Sequence, residues 1–227
     1  MHDLLSKLSI QVHPNVFLKN PESSELGRRI VEGSIDLIDL IGFEAFTFKK
    51  LAAEINSTEA SIYRYFESKH KLLLYLTSWY WGWVEYRLVF SLANLEDPVE
   101  KLLKAICILT SQVEEDSSFT HVNEVKLYNI VIAESPKAYL TKVVDEENKE
   151  GVFSGYKQLV SRVSQLITDM QPAYKYPHML ISTVIEGAHH QRFFASHLPK
   201  LTDSLPGEDS ISEFYKDIVF SAIKAGK

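Results

Sequence analysis

The chain is poor in cysteine, glycine and proline, and each shortage excludes a class of protein. Among its 227 residues Cys107 is the one cysteine, so the chain can form no internal disulfide and offers no set of thiolate ligands for a metal. Nine glycines and eight prolines are too few for a collagen-like, loop-rich or all-β architecture. Cys107 stands in an apolar run and is expected to be a small core residue, with a redox sensor as the alternative.

Long apolar runs are also missing. The longest stretch without a charged residue, residues 72–84, has 13 residues, whereas a helix needs about 20 to span a bilayer. The first ten residues include Asp3 and lack a continuous apolar run, so we expect no signal peptide. Together with the single cysteine, these features predict a soluble protein of the reducing cytoplasm.

An excess of positive charge is absent as well. Lysine and arginine total 24 against 30 aspartates and glutamates, a net charge of −6, which argues against an indiscriminate nucleic-acid binder. The charge is unevenly spread. Residues 44–71 hold five basic and four acidic side chains, a net +1, whereas residues 91–227 hold 14 basic and 19 acidic side chains, a net −5.

Helical periodicity and capping residues predict an all-α protein of about nine helices. Ser24 is a good N-cap for the first helix, and Gly42 is placed to end it. Thr47, Thr58 and Ser68 open the next three helices, of which the first two are short. The later helices are predicted from Pro98 to about Glu115, from His121 to Glu134, from Pro136 to about Met170 with a break at Gly151 or Gly155, from Pro177 to His197, and from Ser210 to Ala225.

Two short helices joined by a tight turn and braced by a third form a helix-turn-helix motif, which we place at residues 47–66. The close crossing requires small residues, which Ala52 and Ala53 supply. On the second helix Ile62 and Phe66 form an apolar back, so the polar front is free to enter a major groove. The predicted DNA contacts are Thr47, Phe48, Lys49, Thr58, Glu59, Ala60, Ser61, Tyr63, Arg64, Tyr65 and Lys69.

The motif and its surroundings carry a recognisable order of residues: Gly42-Phe43, then Thr47, then Leu51-Ala52, then Ile62-Tyr63-Arg64-Tyr65-Phe66-Glu67-Ser68-Lys69. This order resembles the amino-terminal pattern of the TetR family of bacterial transcriptional regulators, over residues 24–83. The resemblance implies a homodimer that binds a palindromic DNA operator, usually as a repressor. It also implies that a small molecule entering the carboxy-terminal helical domain changes the separation of the two DNA-reading heads.

The resemblance further implies a division of the chain and roles for single residues. Residues 1–22 form an amino-terminal arm, 23–83 the DNA-binding domain, and 84–227 the effector-binding and dimerisation domain. Thr47, Tyr63 and Lys69 are implied to contact phosphate, and Ser61 and Arg64 to lie at or near base edges. Glu59 departs from the family, which commonly has a basic residue there. Its carboxylate can accept a hydrogen bond from cytosine N4 while lowering non-specific affinity.

Two further sites are expected in the carboxy-terminal part. The fourth helix is rich in aromatic residues, some of which are candidates to line an effector pocket, with core packing as the competing interpretation. The pocket candidates are Trp79, Trp83, Tyr86, Cys107 and Tyr128. By resemblance, the last two helices form a four-helix bundle with their copies in the dimer. The interface candidates are Ile181, Val184, Ile185, Ala188, Phe194, Phe214 and Ile218.

Other functions leave weaker signals. Glu186, His189 and His190 share one helix face, but we predict a polar helix–helix contact there rather than a metal site, and no cofactor. No nucleophile elbow, phosphate-binding glycine loop or His-Glu-x-x-His motif supports an enzyme. The remaining alternative is a helical interaction or ligand-binding protein with a weakened DNA-binding head, which Glu59 and the near-neutral charge of residues 44–71 favour.

Overall fold

Helices make up the secondary structure of the computed structural model, which describes residues 10–115, 119, 121–204 and 207–225; no strand occurs among them. Of the predicted amino-terminal arm, residues 1–9 lie outside the described residues. The α-helices are α1 (Glu25–Ala45), α2 (Phe48–Glu54), α3 (Glu59–Tyr63), α4 (Lys69–Leu92), α5 (Pro98–Thr110), α6 (Glu124–Glu134), α7 (Pro136–Tyr139), α8 (Val144–Lys149), α9 (Ser154–Met170), α10 (Pro177–His197) and α11 (Ser210–Ala225). Three single turns of 3₁₀-helix occur at Pro14–Val16, Pro21–Ser23 and Pro199–Leu201.

The all-α prediction is confirmed, and the described residues hold more helices than it counted. The difference lies in the stretch from Pro136 to Met170, which was predicted as helix with a break at Gly151 or Gly155. There the chain forms the short helices α7 and α8 before α9 begins. Gly151, with a φ of 84°, separates α8 from α9, because a left-handed residue ends a helix.

Side-chain caps set the beginnings of the helices at the amino-terminal end. Ser24 Oγ accepts a hydrogen bond from the Gly27 N–H at 3.1 Å, and Thr47 Oγ1 accepts one from the Lys50 N–H at 3.2 Å. Each cap satisfies a backbone donor that the first turn of a helix leaves unpaired. Gly42, which was predicted to end this helix, has a φ of 76° and interrupts α1, and one further turn follows to Ala45.

The described chain divides into two compact units, the first formed by the residues up to Gly82 together with Val113–Gly155. In this unit α1 packs along α6 and the first part of α4 supplies much of the core. Residues 72–81 of α4 are hydrophobic on all sides and are buried around the circumference of the helix, as such a segment must be. Its buried aromatic side chains in this unit are Tyr75, Trp79, Tyr80 and Trp81.

The second unit contains Trp83–Gln112 and Tyr156–Lys227, in which α5, α10 and α11 pack on one another. The Arg192 guanidinium of α10 donates to the carbonyl oxygen of Thr110 at 2.7 Å and 3.0 Å and pairs with Asp209. At Gly187 a Cβ would lie 2.2 Å from the Tyr215 hydroxyl, so a larger residue there would displace the Tyr215 side chain of α11. Within the part of the chain that the structure describes, no helix combines the length and apolar character needed to cross a membrane.

Candidate DNA-binding site

The two small residues that were predicted at the crossing of α2 and α3 differ in burial. Ala52 is buried, but Ala53 is exposed, so the prediction is wrong for Ala53. The buried face of α2 runs through Leu51, Ala52 and Ile55, and Ala53 falls outside it. The contact of α1 with α2 has a small residue of its own, Gly33 of α1, where a Cβ would lie 2.5 Å from Cγ2 of Ile55. In the sequence, Gly33 stands three residues after the apolar Ile30 and so on the same face of α1, and this spacing could have indicated the contact.

A tight turn joins α2 to α3. Asn56 adopts a φ of 49°, a left-handed conformation that asparagine tolerates better than most residues. The Ser57 N–H donates to the Ala52 carbonyl at 2.8 Å, and the Arg29 guanidinium of α1 donates to the Ile55 carbonyl. These contacts satisfy the carbonyl end of α2 and fix the direction in which α3 leaves it.

The helix α3 has a buried apolar side and an exposed polar side. Ile62 and, just beyond the helix, Phe66 are fully buried. Thr58 caps the helix by accepting from the Ser61 N–H at 3.2 Å, and the two hydroxyl oxygens are 2.8 Å apart. The predicted DNA contacts with exposed side chains are Thr47, Lys49, Thr58, Glu59, Ala60, Tyr63 and Arg64, whereas Ser61 is half-buried.

Two predicted DNA contacts, Phe48 and Tyr65, are buried and cannot reach a duplex through their side chains. The Phe48 ring packs edge-on against Tyr63 with ring centroids 5.0 Å apart. The Tyr65 hydroxyl is 2.7 Å from Ser24 Oγ, and the backbone carbonyl of Tyr65 accepts a hydrogen bond from the Leu18 N–H at 2.8 Å. Both residues therefore hold the exposed part of the motif in place: Phe48 supports Tyr63, and Tyr65 ties the end of α3 to the start of α1.

Lys69, the first residue of α4, is engaged with the end of α1. Its ammonium donates to the carbonyl oxygens of Phe43 at 3.1 Å and Glu44 at 3.4 Å, and lies 4.7 Å from the centre of the Phe43 ring. A cation is favourable at a helix carboxyl end because the backbone carbonyls there carry partial negative charge. The resemblance implies a phosphate contact for this residue, and the structure gives its charge a partner within the protein.

Replacing Lys69 by alanine separates these two roles. We expect binding to a DNA duplex to weaken about fivefold at every salt concentration, because the end of α1 loses its cation. The slope of log affinity against log salt should stay at the wild-type value, since that slope counts phosphate contacts. Lys49→Ala is the matched control, because its exposed ammonium should reduce the slope by about 0.9 for each reading head. A reduced slope in Lys69→Ala would show that Lys69 does contact phosphate.

The predicted pocket residues belong to both units and have aromatic or polar neighbours. In the first unit Trp79 packs edge-on against Phe119 at 5.3 Å, and Tyr128 lies 6.2 Å from Tyr80. In the second unit the Arg87 guanidinium lies 4.6 Å from the Trp83 ring. There too, Tyr86 contacts Phe90 at 4.5 Å, and Cys107 Sγ is 3.2 Å from Ser111 Oγ. Trp79, Trp83 and Tyr128 are buried, and the effector pocket stays a prediction.

The predicted dimer residues divide by exposure. Ile181, Val184, Ile185 and Ala188 are buried within a single chain, because this face of α10 packs inside the second unit, which includes α5 and α11. Phe194 and Ile218 are half-buried, and Phe214 is 55% exposed. The interface stays a prediction, and its direct contacts must come from these last three residues and their exposed neighbours.

The polar face of α10 at Glu186, His189 and His190 has partners within the protein. The Tyr156 hydroxyl donates to Glu186 at 2.9 Å, and His190 stacks on Phe194 with ring centroids 6.1 Å apart. Burial, with a smaller contribution from the neighbouring His190, lowers the pKa of His189 to about 4, so its ring is neutral at pH 7. In the described ranges, no group of three or more histidine, cysteine, aspartate or glutamate side chains is arranged to hold a metal ion.

Two short helices that cross tightly, with a buried apolar back and an exposed polar front on the second, define a helix-turn-helix DNA-binding protein. Residues 30–76 match the family model described as "Bacterial regulatory proteins, tetR family". This match identifies residues 30–76 as a DNA-binding domain of the TetR family of bacterial transcriptional regulators.

Solved structures share the fold. The chain resembles AibR in complex with isovaleryl coenzyme A and operator DNA, with a TM-score of 0.55 and 15% identity over 84% of this chain and 97% of that one. It also resembles the ketosteroid transcriptional regulator KstR2 of Mycobacterium tuberculosis, with a TM-score of 0.51 and 13% identity over 87% of this chain and 94% of that one. At these identities the likeness establishes the fold alone. No curated protein sequence matches the chain significantly.

Proposed function

We propose that this regulator is a homodimeric repressor that binds a palindromic operator and is released by a small organic effector. The exposed polar face of α3, held by the buried Ile62 and Phe66, is the observation that carries the DNA-binding part. Two such faces in a dimer reach adjacent major grooves, whose spacing on one side of a duplex is about 34–36 Å. The proposal involves binding and no catalysis, and it places the protein in the cytoplasm with the chromosome.

The side chains on this face and at the start of α2 together supply both kinds of DNA contact. The Arg64 guanidinium has the forked geometry that pairs with O6 and N7 of guanine, and the Glu59 carboxylate can accept from N4 of cytosine. Thr47 and Lys49, both exposed at the start of α2, are placed to contact phosphate. Base contacts set the operator sequence, and phosphate contacts set its register on the protein.

The effector part of the proposal draws on the proteins of similar fold. AibR is described with isovaleryl coenzyme A, and KstR2 is named a ketosteroid regulator. We therefore assign effector binding and dimerisation to residues 84–227, DNA binding to 23–83, and an arm to 1–22. Aromatic side chains such as Trp83 and Tyr86 suit an organic ligand with an apolar part.

A second candidate rests on Glu59. Its carboxylate is exposed at the start of α3, where it repels phosphate, so the DNA-binding domain would bind DNA weakly. The chain would then act as a helical interaction or ligand-binding protein.

Selection of duplexes from fragmented genomic DNA at two salt concentrations tests the proposal. We expect wild-type protein to enrich a palindrome, and Arg64→Ala to lose that enrichment while keeping salt-dependent binding. Weak binding without sequence preference at both salt concentrations would instead support the second candidate. Once a palindrome is known, its release by acyl thioesters or steroids can be screened directly.

A further inference from the structure

The turn at residues 42–46, which runs from the kink of α1 at Gly42 to the residue before the cap of α2, decides where the helix-turn-helix begins. Gly42 breaks α1 with a φ of 76° and a ψ of 155°, and the Phe46 N–H closes the turn by donating to the Gly42 carbonyl at 3.2 Å. Phe46 is fully buried, and Thr47 follows it as the cap of α2. Any change in this turn is therefore passed to the first residue of α2.

A carboxylate from α6 holds this turn. Glu134 Oε1 accepts a hydrogen bond from the backbone N–H of Phe43 at 3.2 Å, although the two residues are 91 positions apart. Lys137 lies 2.7 Å from the other oxygen of Glu134 and 2.9 Å from Glu44. Glu134 and Lys137 together therefore contact both the backbone and a side chain of the turn.

The position of Glu134 is otherwise unfavourable. It is the last residue of α6, where the helix dipole disfavours a negative charge, and it is 9% exposed, so its carboxylate has lost most of its water. The Phe43 N–H and the Lys137 ammonium compensate for both effects. Polar contacts elsewhere between α6 and α1, such as Lys126 with Asp36 at 2.8 Å and Asn129 with Asp39 at 3.3 Å, are exposed and contribute little.

We propose that Glu134 is a positioning residue for DNA binding: its carboxylate fixes the turn at residues 42–46 and, through Thr47, the placement of α2 and α3. It touches no DNA itself. Base-edge hydrogen bonds require close alignment, whereas phosphate contacts by flexible lysines tolerate small displacements. Loss of Glu134 should therefore reduce sequence-specific binding and leave non-specific binding unchanged. The inference rests on the proposed function, because specific binding is one of its two readouts.

The test compares Glu134→Ala, Glu134→Gln and the control Asp36→Ala, which removes an exposed ion pair between the same two helices. Each protein is offered one pool of randomised duplexes long enough for two adjacent major grooves. Hydrogen exchange at the Phe43 amide is measured in parallel. We expect Glu134→Ala to lose about tenfold in enrichment of the wild-type sequence, with faster Phe43 exchange and unchanged non-specific affinity. Glu134→Gln should stay within about threefold of wild type, because its amide oxygen still accepts from Phe43.

Two results would overturn the inference. One is wild-type enrichment and wild-type Phe43 exchange in Glu134→Ala. The other is an equal loss of enrichment in Glu134→Ala and Asp36→Ala, which would indicate general loosening of the contact between α6 and α1. If wild-type protein enriches no sequence, the proposed function fails, and Phe43 exchange in the two Glu134 variants still decides whether the carboxylate holds the turn.

Discussion

Replacing Phe66 by alanine is expected to lower the free energy of unfolding by about 3–5 kcal/mol, the largest stability loss that we predict. The ring is fully buried where the helix-turn-helix meets α4, and it packs edge-on against Tyr75 with centroids 5.4 Å apart. The loss combines the transfer free energy of the ring with the cavity that it leaves, and an aromatic pair contributes about 0.5–1.5 kcal/mol of it. Urea denaturation followed by circular dichroism measures the change.

Phe90→Ala is the matched control for this prediction. Phe90 is on the same helix, α4, but its side chain is 63% exposed, so the substitution should change stability by less than about 1 kcal/mol. A loss below about 1 kcal/mol in Phe66→Ala would mean that neighbouring side chains of the DNA-binding domain move in and fill the cavity behind α3. In that case the polar face of α3 would not be held as rigidly as its burial indicates.

Replacing Arg64 by alanine is expected to have the largest effect on DNA binding. A bidentate contact to guanine contributes about 1–3 kcal/mol of discrimination, and a dimer places two copies of Arg64 on its operator, so the variant should lose about 2–6 kcal/mol. This corresponds to a weakening of about thirtyfold or more for the selected palindrome. Fluorescence anisotropy with that palindrome and with a scrambled duplex measures both affinities.

A change in the DNA provides the control for Arg64. Replacing each candidate guanine by 7-deazaguanine removes the N7 acceptor. At the guanine that Arg64 reads, this should weaken wild-type protein but have little further effect on Arg64→Ala, since the two changes remove the same contact. If Arg64→Ala instead weakens the palindrome and the scrambled duplex by the same factor, Arg64 contacts phosphate and the reading of bases lies elsewhere on α3.

The structure reproduces those parts of the predicted fold that rest on local sequence signals. The helices Pro177–His197 and Ser210–Ala225 begin and end at the predicted residues. A proline in the first turn marks the start of the first of these, and apolar periodicity indicates the length of both. Ser24, Thr47 and Thr58 were predicted as caps for the same reason, because capping depends on a side chain and a backbone group only three residues away.

The site was predictable only in its exposed part. The alternation of apolar and polar residues on α3 indicates that Ile62 faces inward and Arg64 outward, as the structure shows. The burial of Phe48 and Tyr65 does not follow from this pattern. It depends on which other side chains reach them, and the side chains that contact Tyr65 include Lys19 and Ser24, from a distant part of the sequence.

The sequence by itself therefore determined the helical class, the helices with clear caps and periodicity, the helix-turn-helix and its TetR-type residue order, since all of these depend on spacing over a few residues. Only the tertiary structure decided which groups meet across long separations. It placed Gly33 against Ile55, directed the Lys69 ammonium to the carbonyl groups at the end of α1, and brought the Glu134 carboxylate to the Phe43 amide. Such pairings depend on how whole helices pack, and helix periodicity fixes which face is buried without specifying the face that will cover it.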